Sequence, residues 1–241
     1  MKSMYDLATE INDAAANYRM RDFQQIRKDI HGLSRTSTKA IFSRQTTFDD
    51  WAFHSGGRKE IQFNIGFEGD NDEWLRYGLA FSLEPSRTLL DPMVLKPKVL
   101  KLNEYIRVNQ SELEDIRFWY YFQFNRSDTM PVAPIREDLI RNPTFLFWGK
   151  MAERETVGPD EVLFLFDRFL PIYEFVESKA PLTKQTADLH KGFRFRPGWS
   201  DKPEIIVQRS RAATKAISLR HNKLQKTLHS ILAQEYGENN V

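Results

Sequence analysis

Residues 60–83 read EIQFNIGFEGDNDEWLRYGLAFSL, and the period of this stretch decides the fold. Ile61, Phe63, Ile65 and Phe67 alternate with Glu60, Gln62, Asn64 and Gly66. After the break EGDND the alternation resumes with Leu75, Tyr77, Leu79, Phe81 and Leu83. Successive side chains of a β-strand point to opposite faces, so two period-two runs joined by a turn-rich segment predict an antiparallel hairpin with one face on a core.

On the C-terminal side, Ile116, Phe118, Tyr120, Phe122 and Phe124 alternate with Arg117, Trp119, Tyr121 and Gln123, a strand that is aromatic on both faces. Thr144 to Trp148 reads as a short apolar strand. Residues 87–109 carry Pro92 and Pro97 among leucines and valines, which predicts short helices or turns. Helical spacing brackets the strands. Leu7, Ile11, Ala14, Ala15, Tyr18, Phe23, Ile26 and Ile30 predict one amphipathic helix over 5–30, closed by His31-Gly32. Val162, Leu165, Phe166, Phe169, Tyr173 and Val176 predict another over 161–177 despite Pro171. A connector over 179–203 then leads to a long helix over about 206–236, with Ile217, Leu224, Leu228, Ile231 and Leu232 as its seam. The expected fold class is α+β, a mainly antiparallel sheet flanked by N-terminal and C-terminal helices.

Composition bounds the chemistry. The 241 residues include no cysteine, which excludes disulfide frameworks, thiolate nucleophiles and cysteine-based zinc sites. With 41% hydrophobic and 28% charged residues the chain reads as a globular protein with a real core. It has no apolar leader and no run near the ~18 apolar residues of a membrane span, so a cytoplasmic protein with no membrane partner is expected. The five histidines show no HExxH spacing, and no GxGxxG, Walker or GxSxG motif is present. The net charge of +2 hides a segregation: residues 179–229 hold 12 Lys/Arg against 3 Asp/Glu, and the remainder holds 23 against 30. A local excess of +9 attracts a polyanion more than the total suggests.

Within the basic stretch, Lys191, Phe193, Arg194, Phe195, Arg196 and Trp199 interleave cations with rings, suited to backbone tracking and base stacking or to tacking a linker onto the domain. Ser55-Gly56-Gly57-Arg58-Lys59 offers a backbone that can approach a phosphate closely, or an ordinary glycine turn. Trp51, His54, Trp119 and Tyr121 supply rings and a polar edge for an extruded base, with core packing as the competing role for Trp119 and Tyr121. Asp160 and Glu177-Ser178-Lys179 spell the PD…ExK string of a metal-dependent nuclease. A helix between them, however, sets the carboxylates about 25 Å apart at ~1.5 Å per residue.

Residues 218–241, SLRHNKLQKTLHSILAQEYGENNV, resemble the helix that opens nuclease domains of the restriction-endonuclease-like, PD-(D/E)XK type. Phe166 to Ser178, FDRFLPIYEFVES, looks like the closing helix of recognition domains placed ahead of nuclease modules in modification-dependent restriction proteins. The resemblance implies a DNA-recognition domain over 1–178, a connector over 179–203, and over 204–241 the start of a truncated nuclease domain. It implies no catalytic or metal residue and no cofactor in this chain, with Mg²⁺ expected for the missing nuclease domain. The expected function is recognition of double-stranded DNA, including a modified base, within a restriction or genome-defence endonuclease; a homo-oligomer is compatible. The alternatives are a self-contained metal-dependent nuclease using Asp160, Glu177 and Lys179, and a protein-interaction module. If the connector grips phosphates, neutralising Lys191, Arg194 and Arg196 together flattens the slope of log affinity against log salt by about 0.9 for each phosphate that is no longer neutralised. An unchanged slope in the triple variant contradicts this.

Overall fold

A computed structural model of the chain describes residues 2–34 and 39–178. The connector, Lys191, Arg194, Arg196 and the helix expected over 206–236 lie outside the described residues. In chain order, α1 (Met4–Ala14) and α2 (Phe23–His31) precede β1 (Trp51–Phe53), β2 (Gln62–Glu68) and β3 (Trp74–Leu83). There follow α3 (Lys96–Asn109), β4 (Arg117–Phe122), β5 (Asn125–Arg126), β6 (Met130–Pro131), β7 (Thr144–Glu153) and α4 (Pro159–Glu177). The strands form one sheet in the order β1-β2-β3-β7-β4, with β5 and β6 both paired to the outer edge of β4, and every pairing is antiparallel. The fold is thus α+β, with helices from both ends of the described chain flanking a mainly antiparallel sheet.

The hairpin forms in the register Gln62↔Ala80 to Glu68↔Trp74. Its odd-numbered residues, Ile61 to Phe67 and Leu75 to Leu83, share one core with Phe118, Leu146 and Trp148 of the neighbouring strands. Leu7, Ile11 and Phe23, Leu102 and Ile106, and Val162, Phe166 and Tyr173 supply the helical side of that core. Fully burying each such side chain contributes about 1.5–3 kcal/mol, which fixes the register, because a one-residue slip would turn the whole set over.

Four local expectations are corrected. The helix expected over 5–30 is broken: short 3₁₀ turns replace it between Ala15 and Asp22, and Tyr18 is extended at φ −124°, ψ 166°. The break is held by a residue from another helix, since Asp167 of α4 accepts the N–H groups of Arg19 and Met20, both at 2.9 Å. Where short helices or turns are expected, residues 96–109 form one helix of 14 residues, since Pro97 sits in the first turn, where no N–H is required. The strand expected over 144–148 runs on to Glu153 and pairs ten residues with β3. The strand expected over 116–124 stops at Phe122. The far face of the hairpin is not solvated either: Gln62 and Asn64 are 1% and 0% exposed.

Burial pushes the Asp167 carboxyl up from 3.8 to about 6, against the pull of the Arg19 and Met20 N–H groups. A folded-state value above the unfolded one means that the native protein holds this proton more tightly. Its contribution to stability is therefore largest below the ordinary carboxylate range and falls as pH rises from about 4 to about 6. The stability difference between the wild type and Asp167→Asn is predicted to shrink across that window by up to about 3 kcal/mol, measured by denaturant titration. A difference that does not change with pH contradicts the assignment.

Candidate functional site

Two polar networks lie on opposite faces of the sheet. On the helix side, Glu60 enters β2 with its side chain 6% exposed and gathers donors from three elements. Arg27 of α2 donates from Nε at 2.9 Å and Nη2 at 2.7 Å, Tyr173 of α4 from its hydroxyl at 2.6 Å, and His54 approaches through Nε2 at 3.1 Å. The Phe63 N–H donates to His54 Nδ1 at 3.0 Å. That nitrogen therefore carries a lone pair, the proton sits on Nε2, and His54 is a neutral donor to Glu60. Burial lowers the His54 pKa, against the pull of Glu60. Burial would raise Glu60, but His31, His54 and Arg27 outweigh it and hold the carboxyl well below its usual range. His31 Nε2 lies 3.5 Å from Glu60 and 3.6 Å from Glu177, bridging two carboxylates.

The glycine turn closes over this network. Gly56 has φ +93°, and a Cβ there would lie 2.1 Å from the Arg27 guanidinium; a Cβ on Gly57 would lie 2.8 Å from the His54 ring. The N–H groups of Ser55, Gly57 and Glu60 already donate to Ile41, His54 and Gly57 carbonyls. Arg58 donates to the Ser82 hydroxyl at 2.9 Å, and the Lys59 carbonyl accepts from Lys98 at 2.7 Å. Glycine is needed here to let the chain pass over Arg27 and His54, and of the loop's own N–H groups those of Ser55 and Gly57 are engaged within the protein.

The second network occupies the face turned away from the helices and crosses four strands. Asn64 Nδ2 donates to Gln62 Oε1 at 3.2 Å, and Arg76 Nη1 donates to Asn64 Oδ1 at 2.5 Å. Arg76 Nε lies 2.6 Å from Glu68 Oε1, the Tyr121 hydroxyl donates to the same carboxylate oxygen, and Trp119 Nε1 donates to Tyr121 at 3.1 Å. The Arg76 guanidinium lies 5.9, 5.2 and 5.0 Å from the ring centres of Tyr121, Phe145 and Phe147. Trp119 packs against Phe147 at 4.6 Å, with Arg126 of β5 over it at 5.4 Å. Burial and the Glu68 charge raise the Tyr121 pKa to about 12 against the opposing Arg76, so the phenol remains a donor at neutral pH. Among the described residues, Gln62 Nε2 is buried without a hydrogen-bond partner.

The four expected pocket residues do not converge. His54 faces the helices. Trp51, Trp119 and Tyr121 share the second face, but Trp51 on β1 stands four strand spacings from β4, about 19 Å at ~4.8 Å each, so no base touches both ends. Trp51 stacks instead on Phe48 at 4.1 Å. Trp119 is fully buried, and Tyr121 and Phe145 are half-buried. Asp160 and Glu177 stand at opposite ends of α4: Asp160 accepts from Tyr18 at 2.8 Å, and Glu177 accepts from the Ile61 N–H at 2.8 Å and Lys98 at 2.5 Å. Among the described residues no group of three or more histidines and carboxylates could hold a metal ion. Sequence reading missed Gln62, Asn64, Glu68 and Arg76, because a polar residue at the alternate position of a strand looks the same whether it meets water or a network.

Glu60→Gln removes the charge that balances Arg27 and leaves the guanidinium partly buried. It is predicted to cost about 3 kcal/mol of unfolding free energy, the scale of breaking one partner out of a buried ion pair. A cost under about 1 kcal/mol by denaturant titration would assign Glu60 the weight of an exposed pair instead. Comparison with protein-family models, with curated proteins and with solved structures yields no match to this chain.

Proposed function

We propose that residues 1–178 serve as a recognition module for double-stranded DNA, with the β4 end of the second sheet face as its contact surface. The observation that carries the reading is the pair of half-buried rings Tyr121 and Phe145, backed by the buried Phe147 and Trp119, fixed in place by the Arg76–Glu68 pair and rimmed by the exposed Arg117 and Arg126. Rings held rigidly from behind can stack on a base, hydrogen-bonding groups beside them can read its edge, and exposed cations can meet phosphates. The +9 stretch over 179–229 would supply most of the phosphate affinity, since the rest of the chain is net negative. The resemblance of residues 218–241 to the opening helix of PD-(D/E)XK nuclease domains supports a role for the module within a restriction or genome-defence endonuclease. A modified base is the target that such a context favours.

The test is a binding panel of unmodified, methylated and hydroxymethylated duplexes against the 241-residue chain at two salt concentrations. Expected are salt-sensitive binding to all three and tighter binding to one. Tyr121→Ala is expected to erase about tenfold of that preference while retaining most of the affinity, because stacking and phosphate contacts are separate contributions. Absence of salt-sensitive binding to any duplex contradicts the proposal.

A further inference from the structure

The β4–β5 connection is a two-residue turn, Gln123-Phe124, between the paired residues Phe122 and Asn125. Both turn residues have positive φ, +49° and +67°. Tight hairpin turns of this kind favour Asn-Gly, because a Cβ is penalised at left-handed φ. Here one of the two positions holds a large aromatic, and Phe124 is completely exposed, at 101%. Burial therefore does not explain the ring, and the backbone is strained to present it. A strained, non-glycine residue at an exposed tip is an outlier from which a functional role can be argued.

The surroundings fit one class of partner. From Ile116 to Ser127 the hairpin contains Arg117 and Arg126 and no acidic residue. Arg141, also exposed, lies over the Phe122 ring at the base of the turn, 4.2 Å from its centre. The half-buried Tyr121 ring stands on the same hairpin, two residues before the tip. An exposed apolar ring at the end of a short ribbon flanked by arginines matches the chemistry of a wedge that enters a base step while cations meet the phosphates on either side.

We infer that Phe124 is an intercalating wedge, inserted by the β4–β5 hairpin between stacked base pairs of a duplex, and that the base it unstacks moves toward the Tyr121–Phe145 rings. Gln123, beside it at the tip, carries both a donor and an acceptor for the edge of the base left behind. This inference rests on the duplex-recognition reading above, and it assigns the residue that deforms the DNA.

The test uses the 241-residue chain and a duplex with 5-methylcytosine next to the fluorescent base 2-aminopurine, whose emission rises on unstacking. The wild type is expected to raise the emission severalfold. Phe124→Ala should bind the duplex within about tenfold of wild-type affinity and give no rise, since phosphate contacts persist without the wedge. Phe124→Leu, which keeps an apolar wedge, should restore part of the signal, and Phe124→Gly, which relieves the left-handed backbone, should fold at least as stably as wild type while giving none. A rise that survives Phe124→Ala, or tight wild-type binding with no rise, overturns the wedge and leaves duplex recognition standing. Absence of duplex binding by the wild type overturns both and points to Phe124 as an apolar knob for a protein partner.

Discussion

A carboxylate taken out of water must be surrounded by donors or give up its charge, and Glu60 is surrounded. Its partners come from α2, from the turn after β1 and from α4, so one side chain at the entrance to β2 ties three separate elements to the sheet. The neighbouring Glu177 does the same from the end of α4, accepting from the Ile61 N–H and from Lys98 of α3. These are the contacts that position every helix of the core except α1. The turn residues Gly56 and Gly57 belong to the same arrangement, since side chains there would collide with Arg27 and His54.

With its helix-side face pinned in this way, the sheet presents the residues of the opposite face in fixed register. Pairing of Ala80 with Phe147, and of Phe147 with Trp119, brings side chains from strands far apart in sequence into one ring cluster. Arg76 joins that cluster to Glu68 and Asn64. A cation held by a carboxylate on one side and three rings on another has little freedom, and the rings around it are equally confined. The proposed recognition surface thus inherits its rigidity from the packing on the far side of the same strands.

The alternation in 60–83 and in 116–122 is enough to read the strands and which residues share a face, because a period of two has a direct geometric meaning. Apolar stripes make the helical stretches at 7–30 and 162–176 legible, whereas α3 is hidden by Pro92 and Pro97, which read as breakers until Pro97 is seen in a first turn. The break at Ala15 to Asp22 is not, since it is imposed by Asp167 from nearly 150 residues away. Period also fails at Gln123-Phe124: Phe124 continues the alternation in sequence, and only the backbone shows the chain turning there. For the candidate site, residue type points to Trp119 and Tyr121, yet it groups His54 with them on the same grounds. Alternation along 51–54 sets His54 with Ala52 on the helix side, opposite Trp51 and Phe53, so here the period separates what residue type groups together.

On this reading the sheet has a structural face and a recognition face, and Trp119 and Trp148 report on that division. Indole N–H signals of the ¹⁵N-labelled 241-residue chain, followed while duplex DNA is added, test it most directly. Trp119 stands on the proposed recognition face and Trp148 is packed on the helix side of the neighbouring strand, one register position away. The Trp119 indole resonance is predicted to shift with added duplex while that of Trp148 stays in place. Shifts at Trp148 without shifts at Trp119 would contradict the division and assign the binding to the helix side.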